Sequence, residues 1–167
     1  MKYTVVLFVL LSLGTSAQKK NADKAKFLVV WKAFRENIRV RNLTAASQFL
    51  NFPLFTAKAD DDKYGFLPAD KLKLAEFQEY KLDIFNDEVI RILPKLGEDN
   101  LSEIDGDEDS YYTALKKFTL PGSKLYEVYA EYKQDSRNTE SFFGFVFGKV
   151  KGGNYRVIAY YGKWPVR

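Results

Sequence analysis

The sequence predicts an α+β domain in which amino-terminal helices pack on a curved antiparallel sheet of four or more strands. Three observations lead there. Apolar residues recur at helical spacing from Asn21 to Arg41, the last third of the chain changes to alternating polarity, and turn-forming residues separate its alternating segments.

The first element in chain order, Met1 to Ala17, carries Lys2, an apolar run from Val5 to Leu13, and the small residues Thr15-Ser16-Ala17. This pattern suits a cleavable signal peptide, with cleavage expected near Ala17. The run is too short to cross a bilayer, which takes roughly 20 apolar residues. No later segment is more apolar, so no integral membrane anchor is expected. Residues 18–167 are expected to form a single domain, periplasmic or secreted.

From Asn21 to Arg41, Phe27, Val30, Trp31, Phe34 and Ile38 form an apolar stripe while Lys24, Lys32, Arg35 and Arg39 fall largely elsewhere, predicting a long amphipathic helix. Asn42 or Thr44 can cap a second short helix that runs through Leu50 and ends before Pro53. Phe49 to Phe55 reads as an extended apolar stretch. After a polar loop at Asp60-Asp61-Asp62-Lys63, Phe77, Tyr80, Ile84 and Phe85 are expected to line one face of a helix. Asn86 can cap the next helix, which turns Val89, Ile90 and Leu93 inward and stops at Pro94 and Gly97. An acidic segment, Glu98 to Asp109, separates this half from four predicted strands: Tyr111 to Leu120, Lys124 to Lys133, Ser141 to Val150 and Tyr155 to Tyr161. Pro121-Gly122-Ser123, Asp135 to Asn138 and Gly152-Gly153-Asn154 suit the reversals between them.

Composition narrows the chemistry. With no cysteine, disulfides, thiol catalysis and thiolate metal sites are excluded, and with no histidine the usual general base and commonest metal ligand are missing. The net charge of +4 comes from lysines and arginines interleaved with acids, a pattern that argues against nucleic-acid binding. The run Asp105-Gly106-Asp107-Glu108-Asp109 suggests calcium, but Ser110 and Lys116 stand where the calcium loop requires glycine and glutamate. No metal or cofactor is therefore predicted. Tyr155, Tyr160, Tyr161 and Trp164 suggest an aromatic platform, divided between two faces by strand alternation.

The passages Phe27-Leu-Val-Val-Trp31-Lys-Ala-Phe34, Asn51-Phe-Pro-Leu54, Glu76-Phe77-Gln-Glu-Tyr80 with Ile84-Phe85, and Gly153-Asn154-Tyr155-Arg156-Val157-Ile158 resemble exported members of the nuclear transport factor two-like superfamily, the ketosteroid-isomerase-like proteins among them. That resemblance implies a cone-like shape with a pocket at its open end. It implies that Trp31 and Phe34 face the sheet and that these two, with Tyr126, Tyr129, Phe145 and Tyr160, are candidates for the lining of a ligand cavity. An isomerase-like mechanism would need a carboxylate base and a tyrosine in a dry pocket. The strand acids Glu127, Glu131 and Glu140 alternate with aromatic residues and are expected to face solvent, so no catalytic residue is assigned. The expected function is an exported, non-catalytic binding module for a small molecule or peptide. The alternatives are a sheet-mediated homodimer and an isomerase- or dehydratase-like enzyme.

Overall fold

A computed structural model describes residues 4–59, 66–104, 110–134 and 139–162, with side chains placed at 22–56, 71–104, 110–133 and 140–162. The longest element, α1 (Thr4–Arg39), starts before the expected Asn21. Its apolar stripe is as expected: Phe27, Trp31, Phe34 and Ile38 are fully buried, while Lys24, Lys32 and Arg39 are exposed. Among the described residues no helix is long and apolar enough to cross a membrane.

The end of α1 is closed by backbone alone. The Asn42 N–H donates to the Asn37 carbonyl at 2.8 Å and the Arg41 N–H to the Ile38 carbonyl at 3.0 Å, with Arg41 in the left-handed region at φ 57°. The Ala45 N–H then donates to Asn42 Oδ1 at 3.1 Å, so Asn42 rather than Thr44 caps α2 (Leu43–Ser47), which ends before the expected Leu50 because that residue already belongs to the sheet.

The chain enters the sheet as β1 (Leu50–Ala59) and returns as the antiparallel β2 (Phe66–Leu72). The sequence shows no strand signal at β2, and Pro68 is tolerated there because β2 is an edge. Helix α3 (Phe77–Ile84) follows, with Phe77, Ile84 and the adjoining Phe85 buried. Tyr80, expected on the same face, is 48% exposed. Helix α4 (Asp87–Ile92) continues into a 3₁₀ turn at Leu93–Lys95, with Asn86 as its cap. The acidic separator contains a second 3₁₀ turn at Glu98–Asn100 and the other edge strand, β3 (Leu101–Ile104). The possible calcium run, residues 105–109, lies outside the described residues, as does Trp164.

One predicted strand is a helix. Tyr111-Tyr112-Thr113 has strong β preference, but α5 (Ser110–Lys116) buries Tyr111 and Leu115, four apart on one helical face. The remaining strands match their expected positions closely: β4 (Leu125–Gln134), β5 (Thr139–Lys149) and β6 (Tyr155–Gly162). Gly152 and Gly153, at φ 98° and 80°, make the β5–β6 reversal in a conformation that side chains resist.

The six strands form one curved, unclosed sheet in the order β2-β1-β6-β5-β4-β3. Neighbours are antiparallel except β1 and β6, which run parallel, so the sheet is mixed rather than wholly antiparallel. The α+β architecture of helices on a curved sheet is as the sequence predicts.

Both faces of the sheet are buried. On the first, Tyr126, Val128, Phe143, Phe145, Phe147, Tyr155 and Val157 pack against the stripe of α1. On the second, Leu125, Val146, Ile158, Ala159 and Tyr161 pack with Tyr111 and Leu115 of α5. A register shift in the β5–β6 ladder, where Val146 pairs with Ala159 but Phe147 with Val157, inserts Ile158 as an extra residue. That bulge brings Tyr155 and Tyr160, five residues apart, to the same face.

Candidate functional site

Five of the six aromatic residues proposed for a ligand cavity meet in the core between α1 and the first face. The Phe34 and Phe145 rings lie edge to face at 5.4 Å, Phe145 and Tyr160 are 4.9 Å apart, Trp31 meets Phe147 at 6.1 Å, and Phe27 stacks on Tyr126 at 4.1 Å. All five are buried, each with neighbouring rings against it. Trp31 and Phe34 do face the sheet. Tyr129 stands on the second face, half-buried, its hydroxyl donating to Glu131 at 2.9 Å. The expected platform of Tyr155, Tyr160 and Tyr161 is buried, with Tyr161 on the opposite face from the other two.

The first core holds polar atoms that need a reason to be there. The Tyr126 and Tyr155 hydroxyls and the Trp31 indole nitrogen are buried without a hydrogen bond of good geometry among the described residues. Burial, reinforced by the Glu103 and Asp23 carboxylates, pushes the Tyr126 phenol up to about 12. Tyr155 is pushed higher by burial and by Asp23. Asp23 pairs with Lys149 at 2.7 Å, tying the middle of α1 to the end of β5.

The second face carries an acid that alternation alone would place in solvent. Glu127 is buried at 8% exposure because α5 lies over this part of β4. Its Oε1 accepts a hydrogen bond from the Tyr161 hydroxyl at 2.6 Å and another from the Tyr112 hydroxyl of α5. Burial and this carboxylate push the Tyr161 phenol far above its ordinary range, so it remains a donor. Tyr161 lies over Gly144, where an added Cβ would meet its ring 2.2 Å away. The cluster fastens α5 to the sheet, and its acceptor oxygen is already occupied by two phenols.

An open groove lies elsewhere, between the end of α1 and the α4 segment. It encloses about 440 Å³ and is lined by Arg39, Arg41, Asp87, Ile90, Arg91, Pro94 and Lys95. The segments are brought together partly by Arg35, whose Nη1 donates to the Leu96 carbonyl at 2.7 Å while its guanidinium sits 5.8 Å from the Trp31 ring. Asn86 fixes the start of α4, its Oδ1 accepting from the Val89 N–H at 3.0 Å and its Nδ2 donating to the Asp83 carbonyl at 3.0 Å. The amide also reaches the Tyr160 hydroxyl at 3.4 Å, joining the rim of α4 to the aromatic core.

None of the groove residues was singled out as a site from the sequence, since charges on a helix are normally a solvated face. A local signal was available at Arg41. It stands two residues beyond the last residue of a long helix, just past the cap, where glycine is the favoured occupant.

Among the described residues no cluster of acids could hold a metal ion. No protein-family model matches the sequence, and no curated protein matches it. One solved structure it is similar to is a candidate ketosteroid isomerase from Shewanella frigidimarina, with a TM-score of 0.41 and 12% sequence identity over 80% of this chain and 91% of that one.

Proposed function

We propose that this chain is an exported binding module, periplasmic or secreted, that holds a small molecule or peptide segment without making or breaking covalent bonds. The observation that carries this reading is the groove at the end of α1. Its volume of about 440 Å³ lies within the roughly 300–1,000 Å³ usual for ligand sites, with apolar Ile90 and Pro94 among convergent charged groups. Its lining offers recognition but no pairing of nucleophile with base. The aromatic core, with Trp31, Phe34, Phe145 and Tyr160, acts in this reading as the rigid scaffold behind the groove. Export rests on the pattern of residues 1–17.

Two measurements test the proposal. Expression of the whole chain in a bacterial host should yield a periplasmic or secreted product whose mass spectrum begins at Gln18, and retention of the uncleaved chain in the cytosol would overturn export. A screen of small molecules and short peptides should shift backbone amide resonances at Arg39 to Asn42 and Asp87 to Leu96. A screen that moves none of those amides would overturn the binding site.

A further inference from the structure

We infer that the ligand of this groove is an amphipathic organic anion, a carboxylate or phosphate monoester on an apolar body, gripped by Arg41 and Lys95. The inference rests on the binding reading above and sharpens it. Four cations line the groove, and two are already matched. Arg39 donates to Glu36 at 2.6 and 2.7 Å, and the Arg91 Nε donates to Glu88 at 2.8 Å. Arg41 and Lys95 have no ion pair or side-chain hydrogen bond among the described residues.

Arg41 is unusual in its backbone as well as its charge. It holds φ 57°, a conformation that crowds the Cβ of any L residue and favours glycine. Its side chain is not needed to end the helix, because backbone N–H groups satisfy the Asn37 and Ile38 carbonyls. A large, exposed cation is thus kept at a position where the fold alone would favour glycine, and it lines the groove. Observed strain of this kind points toward function.

The remaining residues define the rest of the ligand. A guanidinium presents a planar fork suited to carboxylate or phosphate oxygens, and an ammonium adds a point charge. Ile90 and Pro94 offer apolar contact to a hydrocarbon body. Asp87 disfavours a second anionic group at its side of the groove and suits a hydroxyl or amine donor.

The purified protein would be titrated with octyl phosphate, octanoate, octanol and octyltrimethylammonium, by calorimetry and by amide chemical shifts. The two anions should bind at the groove, more weakly as salt rises, and lose about tenfold or more in affinity in Arg41→Gly and in Lys95→Gln. Arg41→Gly should raise the melting temperature, which separates lost binding from lost folding, and Arg41→Asn gives a second variant that tolerates the left-handed backbone. Groove shifts with octanol or the cation binding as tightly as the anions would overturn the anion inference and leave the binding reading standing. Unchanged octyl phosphate affinity in both Arg41→Gly and Lys95→Gln would also overturn it. Absence of groove shifts with all four probes would overturn the anion inference, while the wider screen of small molecules and short peptides decides the binding reading.

Discussion

At the scale of single residues, Gly144 and Tyr161 depend on one another. Tyr161 delivers its hydroxyl to Glu127 at 2.6 Å only because its ring can lie over a residue without a side chain. Alanine at 144 would push the ring away, adding overpacking to the loss of a bond to a buried carboxylate. Gly144→Ala should therefore lower stability by about 3 kcal/mol, and Tyr161→Phe, which removes only the bond, by about 2 kcal/mol. In a Tyr161→Ala background the glycine change should cost at least about 1 kcal/mol less, because the clash is gone. Urea unfolding of the four-member cycle measures this, and additive losses would show that the two residues are independent. Glu127 also shows a limit of reading strands by alternation, since period two says which face a side chain takes but not whether another element covers it.

Individual elements differ in how far local chemistry determines them. Helix α4 spans only Asp87–Ile92, too short to persist by propensity, so its cap and its buried Val89 must hold it. Asn86→Ala removes the acceptor for the Val89 N–H and the donor to the Asp83 carbonyl, and should cost about 1–2 kcal/mol. Asn86→Asp keeps the acceptor alone and should fall between the two in thermal unfolding; equal loss in both variants would mean that the cap bond is not what matters. The Asn86 cap was legible and the α2 cap was narrowed to Asn42 or Thr44, because a short polar side chain before an apolar run has a specific geometric use. The α1 stripe and strands β4 to β6 were legible from their periods and turns. Helix α5 was not, since Tyr111-Tyr112-Thr113 favours strand and only tertiary burial of Tyr111 and Leu115 decides for helix. The edge strands β2 and β3 carry little apolar alternation because edges need little. The parallel pairing of β1 with β6 joins residues such as Phe55 and Ala159, far apart in sequence, and has no local signature. The groove was hidden for the same reason: its two walls, at Arg39 and Arg41 and at Asp87 to Lys95, are separate in the sequence and meet only in the fold.

Across the whole molecule, buried phenols take the place that histidines and cysteines often hold in setting pH dependence. The chain has no histidine and no cysteine, so few groups titrate between about pH 6 and 9. Burial pushes the phenols of Tyr126, Tyr155, Tyr160 and Tyr161 upward, with nearby carboxylates adding to the effect at each, although at Tyr160 the Tyr132 phenol adds more than Asp83. The sign follows from proton counting. Below an unfolded phenol pKa of about 10 both states hold these protons, so the folded state keeps its full advantage. Above it the unfolded chain releases protons that the folded chain retains, and the unfolding free energy falls with rising pH. Each phenol that stays protonated should contribute a slope of about 1.4 kcal/mol per pH unit, which for several together is steep. The melting temperature should therefore be nearly flat through neutral pH and drop sharply above about pH 10, with the share of tyrosinate absorbance that belongs to the four buried phenols appearing only together with loss of the sheet signal. If the full tyrosinate absorbance of all eleven tyrosines appeared with circular dichroism unchanged, the buried phenols would be ionising inside an intact fold, and the packing described for both faces of the sheet would be wrong.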